Sequence, residues 1–190
     1  MICCGIDAGS RLIKVLLLEP ASGHVLAADS TVVPHAGLCW LFAGVSPVPW
    51  EPANDYLHVF YSEDPIRGAW TPHPLNPVVS DVRRARPAGP IVGHEGRLFR
   101  PSQDCSGRYG SGIRINEIVR LTVEDYEESE QTVIRPDRER GFVATHTIAV
   151  DGELTVMDAM RLVPRFRWPL MPRILRGIRD GRAARQGSSC

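Results

Sequence analysis

The stretch Phe142-Val-Ala-Thr-His-Thr-Ile-Ala-Val-Asp-Gly-Glu-Leu-Thr-Val-Met157 decides the fold class. Two β-rich runs, Phe142 to Val150 and Glu153 to Met157, flank Asp151-Gly152, and an Asp-Gly between such runs is a strong hairpin signal. The same grammar extends towards the N-terminus. Gly110 to Leu121 alternates at Ile113 and Ile115 and is followed by Tyr126 to Ile134. Pro90 to Val92 and Arg97 to Pro101 flank the turn His94-Glu95-Gly96, and Tyr56 to Tyr61 is a further strand. Several antiparallel strands at short spacing argue for a sandwich, barrel or propeller rather than a parallel sheet with crossover helices.

The two ends read differently. Residues 1–36 contain strand, tight turn, strand, turn and strand, a hairpin segment that has to pack on something else. Residues 37–160 form the β-rich unit, and residues 161–190 form a basic tail. That tail holds eight Arg against one acid, Asp180, so the zero net charge of the chain divides into +7 for the tail and −7 for the rest. Leu170, Met171, Ile174, Leu175 and Ile178 fall on one helical face beside Arg173, Arg176 and Arg179, the pattern of a short amphipathic helix.

With 190 residues, 43% apolar and 23% charged, the chain has the composition of a globular protein. Its five cysteines, Cys3, Cys4, Cys39, Cys105 and Cys190, lack CxxC spacing, so a zinc site is not expected. No apolar run approaches the ~20 residues of a membrane span, and the segment Val15 to Leu18 is too short for a secretory leader. Cytoplasm is the expected location. Neither a cofactor nor nucleic-acid binding is expected.

A longer pattern links Gly68-Ala-Trp-Thr-Pro-His-Pro-Leu-Asn-Pro77, Asp81, Ala85-Arg-Pro-Ala-Gly89, Gly96-Arg-Leu-Phe-Arg-Pro-Ser-Gln-Asp-Cys-Ser106, Tyr109-Gly110 and Thr145-His146-Thr147. Together these resemble the N-terminal domain of glucosamine inositolphosphorylceramide transferases. The resemblance implies a five-bladed propeller related to furanosidase-type glycoside hydrolases, here incomplete, and an activity close to carbohydrate chemistry. It implies a domain that binds or helps process a sugar, sugar nucleotide or glycolipid head group. An incomplete propeller leaves sheet edges uncovered, so a partner protein or homo-oligomer is expected to cover them. A second segment, Gly5-Ile-Asp-Ala-Gly-Ser-Arg-Leu-Ile-Lys14, resembles the first phosphate loop of the actin-like ATPases that activate 2-hydroxyacyl-CoA dehydratases. That resemblance would give Asp7, Gly9, Ser10 and Lys14 nucleotide-binding roles, as the alternative reading. A third reading is a peripheral membrane protein attached through its basic tail.

Glycoside chemistry uses two carboxylates, one as acid and one as base or nucleophile. Asp81 and Asp104 are the candidates, each following an expected strand in a segment dense with Arg and aromatic residues; both also stand where an Asp forms a local turn. Arg86 and Arg100 could grip a hydroxyl, phosphate or carboxylate, or make internal ion pairs with Asp81 or Asp104. Gln103 suits a sugar hydroxyl as donor and acceptor. Tyr109 could stack on a sugar, and Trp70 is assigned to packing. His146 is expected on a strand, directed oppositely to Thr145 and Thr147.

Overall fold

A computed structural model describes residues 30–46 and 54–163 in full, together with the strand backbone of 3–9, 12–18 and 25–29. Every regular element among these residues is a strand. In chain order they are β1 Cys3–Gly9, β2 Leu12–Leu18, β3 Val25–His35, β4 Leu38–Val45, β5 Tyr56–Ser62, β6 Thr71–Pro72, β7 Val79–Ser80 and β8 Val92–His94. There follow β9 Arg97–Asp104, β10 Gly112–Leu121, β11 Tyr126–Ile134, β12 Phe142–Ala144, β13 Ile148–Asp151, β14 Leu154–Met157 and β15 Met160–Arg161. Ser10 and the amphipathic segment expected at 170–178 lie outside the described residues.

The first seven strands make one antiparallel sheet in the order β1-β2-β3-β4-β5-β6, with β7 also pairing β5. The second sheet is a four-stranded antiparallel meander, β11-β10-β9-β8. Two short pairs complete the chain, β12 with β15 and β13 with β14.

Turn chemistry accounts for the tightest connections. Ala36-Gly37 joins β3 to β4 with φ of 51° and 79°, and Glu95-Gly96 joins β8 to β9 with φ of 50° and 74°. Two positive φ values are what a two-residue hairpin needs to match the strand twist. The strand ladder therefore runs up to His35 opposite Leu38, the pair that flanks the turn. The C-terminal hairpin turns one residue later than its Asp-Gly suggests: β13 extends through Asp151, opposite Leu154, and the turn is Gly152-Glu153.

β4 was not evident from periodicity, because Leu38–Val45 is a nearly continuous apolar run. The reason is burial on both faces. Trp40 and Phe42 pack with Leu57, Val59 and Val79, whereas Leu41 and Ala43 pack on the opposite side with Phe60 and the half-buried Trp70. Beyond it, β5 pairs with β6 and then with β7, and Asn76 bridges the gap. Its side-chain amide accepts from Val59 N and donates to Val59 O, each at 2.8 Å, and Val59 O also accepts from His73 N at 2.9 Å.

The core places the four-stranded sheet in the middle. One of its faces meets the large sheet: Ile118 and Leu121, with Leu98 and Tyr126, pack against Val33, Trp40, Phe42, Leu57 and Val59. Its other face carries Ile113, Ile115 and Ile134, which pack with Ala88 and with Ile148 of β13. Each fully buried side chain of this size contributes ~1.5–3 kcal/mol. Exposed apolar side chains, by contrast, gather at the end of the described chain, at Leu154, Val156, Met160 and Leu162.

Candidate functional site

Two close backbone approaches bring separate segments to one end of the four-stranded sheet. Residues 86–88 run antiparallel to the end of β9, with Gln103 N donating to Arg86 O at 2.8 Å and Ala88 N to Pro101 O at 3.1 Å. On the other side of this segment, Ile148 N donates to Ala88 O at 2.8 Å. Gly89, at φ 154°, lies so close to the strand that a Cβ there would be 1.9 Å from Ile148 O. The second approach is at Gly110, at φ 76°, where a Cβ would be 2.9 Å from Ala144 Cβ and where Thr145 N donates to Gly110 O at 3.0 Å. Side chains in those positions would hold the segments apart. Their absence sets Arg86, Tyr109 and His146 side by side.

Tyr109 is 46% exposed, the Arg86 guanidinium lies 5.1 Å from the centre of its ring, and the His146 ring lies 4.9 Å away at 55°. Arg86 is steadied by Asn54, whose Oδ1 accepts from its Nη1 at 2.8 Å. His146 stands on the connection between β12 and β13, not on a strand as alternation suggested, because Asp158 claims the backbone there. Asp158 Oδ1 accepts from the amides of His146 at 2.8 Å and Thr147 at 2.7 Å, and Oδ2 contacts His146 Nδ1. These amides consequently bond a carboxylate in place of a neighbouring strand.

The two candidate carboxylates are both engaged by neighbouring side chains. Asp81 receives Arg83 Nε at 3.0 Å, Arg83 Nη2 at 2.9 Å and the Arg83 amide at 3.0 Å, while its carbonyl accepts from Ala85 N at 2.8 Å in a tight turn. The Arg83 guanidinium holds its carboxyl below the usual carboxylate range. Asp104 is buried, accepting from Ser106 Oγ at 2.6 Å, Ser106 N at 3.1 Å and Arg114 Nη2 at 2.8 Å. Burial opposes its ionisation, but Ser106 and Arg114 outweigh burial and lower its pKa as well. A general acid needs the opposite shift. The two groups are built as fixed negative charges that anchor Arg83 and Arg114.

Gln103 is buried, and its Nε2 donates to Pro87 O at 3.3 Å, tying β9 to the segment that carries Arg86. Arg100 belongs to the interior. Its side chain is fully buried and forms a fork with Glu128, Nε to Oε2 at 2.8 Å and Nη2 to Oε1 at 2.7 Å, and Nη2 also donates to Arg84 O at 2.8 Å. The expected ion pair with Asp81 or Asp104 is thus made with Glu128 instead. Register explains the choice: Arg100 is opposite Asn116, Ile118 is opposite Glu128, and the Arg100 side chain crosses β10 to reach β11 on the same face. Tyr126 Oη donates to Glu128 Oε2 at 2.5 Å, and Asn116 Nδ2 donates to Ser102 Oγ at 2.9 Å and Arg100 O at 3.1 Å. Of the residues in the alternative nucleotide reading, Asp7 and Gly9 lie on β1 and Lys14 on β2, with Asp7 opposite Lys14 in the ladder. Among the described residues, no group of three or more His, Cys, Asp or Glu is placed to hold a metal.

Sequence reasoning missed three members of this arrangement: Glu128, Arg114 and the pairing of Asp158 with His146. Each depends on strand register, which residue types alone do not give.

Comparison with known proteins adds a family to this geometry. The family model described as "Glucosamine inositolphosphorylceramide transferase 1, N-terminal" matches residues 12–154, a span that takes in Lys14 of the N-terminal hairpin as well as the four-stranded sheet. Glucosamine inositolphosphorylceramide transferase 1 of Oryza sativa subsp. japonica is 32% identical over 161 residues, covering 78% of this chain and 21% of the rice protein. The protein of the same name from Arabidopsis thaliana is 36% identical over 122 residues, covering 63% of this chain and 15% of its own length. The chain therefore spans about a fifth or less of the curated relatives it matches. No solved structure matches it.

Proposed function

We propose, because the chain belongs to the family of the glucosamine inositolphosphorylceramide transferase N-terminal domain, that it is a carbohydrate-binding unit of propeller type whose ligand site is the rim of the four-stranded sheet. The names of the relatives point to a glycosyltransferase-related, sugar-associated function. A four-stranded antiparallel meander, packed on both faces by neighbouring strands, has the form of a propeller blade and supports that architecture. The ligand is a sugar or glycolipid head group, of which glucosamine and inositol phosphate are the components carried by the relatives' names.

The observation that carries the reading is the convergence of Arg86, Tyr109 and His146 on one exposed rim. A cation, an amphipathic ring and an imidazole offer charge, a flat apolar surface and directional hydrogen bonding, which polyol and phosphate groups use together. Asp81 and Asp104 hold Arg83 and Arg114, and carboxylates with lowered pKa do not support acid catalysis.

Calorimetric titration of the intact chain with glucosamine, inositol 1-phosphate and a uridine-diphosphate sugar tests this. At least one ligand binds, and Tyr109→Ala or His146→Ala weakens it about tenfold, ~1.4 kcal/mol, with the melting temperature retained. Equal binding by both variants would place the site elsewhere, and silence from all three ligands would reject the carbohydrate reading.

A further inference from the structure

We infer that Asp158 holds His146 in the Nδ1–H tautomer, so that Nε2 faces the rim as a hydrogen-bond acceptor for an O–H or N–H donor of a polyol or amino-sugar ligand. This rests on the binding reading above and adds to it the atom, polarity and orientation of one contact.

Asp158 engages the 145–147 segment through every polar group it has. Its carbonyl accepts from Thr145 Oγ1 at 2.9 Å, its amide donates to Thr147 O at 3.2 Å, and its Oδ1 accepts from the amides of His146 and Thr147. That leaves Oδ2 against His146 Nδ1. An ionised carboxylate only accepts, so Nδ1 must carry the proton, and in the neutral ring the lone pair is then on Nε2. A carboxylate fixing one imidazole nitrogen sets the tautomer presented by the other. The His146 side chain is 32% exposed, and Nε2 has no hydrogen-bond partner among the described residues.

His73 provides an internal contrast. Its Nδ1 accepts from Leu75 N at 3.2 Å and its Nε2 reaches Thr122 O at 3.0 Å, which requires the opposite tautomer and uses both nitrogens. It is 2% exposed. His73 is consumed by the fold; His146 has one nitrogen left over, directed by a carboxylate.

The polarity selects the ligand group. A neutral Nε2 needs a donor, which a hydroxyl or amine supplies and a fully ionised phosphate does not. Among the described residues, the charged and titratable groups around the imidazole are Asp158 at Nδ1, Tyr109 against the ring and Arg86 beyond Tyr109.

Long-range proton–nitrogen NMR of the imidazole in the full chain, combined with titration of glucosamine and myo-inositol as separate probes, is the test. Wild type is expected to give the Nδ1–H pattern. Asp158→Asn keeps an oxygen for the two amides but turns an NH2 towards Nδ1, so the ring changes to the Nε2–H tautomer and binding falls at least tenfold. His146→Asn keeps a donor for Asp158 and removes the Nε2 acceptor; it should fold and lose binding to the same extent, which preserves the test if Asp158→Asn does not fold. Loss of inositol binding would identify a hydroxyl donor, and loss confined to glucosamine an amine. An Nε2–H pattern in wild type, or unchanged binding in a folded variant, would overturn the inference while leaving the wider site standing. Failure of wild type to bind either probe would overturn the inference, and the binding reading would fall with it only if inositol 1-phosphate and the uridine-diphosphate sugar also fail to bind.

Discussion

The buried row between the two large sheets and the exposed rim at the end of the four-stranded sheet are built from the same kinds of residue, with different outcomes. In the row, Arg100, Glu128 and Tyr126 bond one another out of water and Asn116 bonds the Arg100 backbone, while Arg100 Nη1 and Asn116 Oδ1 are buried without a partner among the described residues. At the rim, Arg86 and His146 each lie against the Tyr109 ring, and Tyr109 and His146 keep exposed surface. An arginine, an acid and an aromatic ring near a sugar-associated motif therefore do not mark a site by themselves. What separates the two regions is burial: Arg100 and Asn116 are fully buried, whereas Tyr109 and His146 keep exposed surface.

The largest break in this comparison comes from the row. Glu128→Ala leaves the Arg100 charge buried without its partner and should cost ~3–5 kcal/mol by urea denaturation. Arg100→Met combined with Glu128→Leu removes both charges and should be more stable than either single variant. If Glu128→Ala is nearly neutral, the row is not the structural element described. Gly89→Ala comes next, at ~2–4 kcal/mol, since its added methyl meets Ile148 O and its φ of 154° disfavours a side chain.

Acid sharpens the same contrast. Burial opposes the ionisation of Glu128, but the Arg100 charge and hydrogen bonds outweigh it and hold the carboxyl below its ordinary pKa. A group depressed in the folded state adds stability above its unfolded pKa, and that increment is lost as pH falls through the folded pKa. Denaturation midpoints should therefore decline below the ordinary carboxylate range, and Glu128→Gln should flatten that decline. An unaltered acid limb would assign it to other carboxylates, Asp104 first. The smallest effect on stability belongs to the rim, where Tyr109→Ala should change it by about 1 kcal/mol or less while binding falls about tenfold.

Much of the strand pattern was readable from the sequence. In β8 to β11 the local signals are the apolar residues of Gly112–Leu121, interrupted by polar ones, and the turn at Glu95-Gly96, where positive φ calls for turn residues. β4 left none, being apolar on both faces. The site was readable as a list of residue types but not as an arrangement. Register shifts between Ile115 and Asn116 and between Ile118 and Arg120 decide that Glu128, not Asp81 or Asp104, reaches Arg100. Asp158 was closer to view: with the turn centred on Gly152-Glu153, Ile148 pairs with Met157, and the next position outward sets Thr147 beside Asp158. Centring that turn on Asp151-Gly152 would set Thr145, not Thr147, opposite Asp158.

The most direct test of the division between row and rim is an amide-resolved NMR titration of the intact chain with the ligand that binds best in calorimetry. Saturable shifts should centre on Arg86, Tyr109, Thr145 to Thr147 and Asp158, leaving Arg100, Asn116 and Glu128 in place. Shifts centred on the buried row, or on residues remote from the rim, would contradict the account.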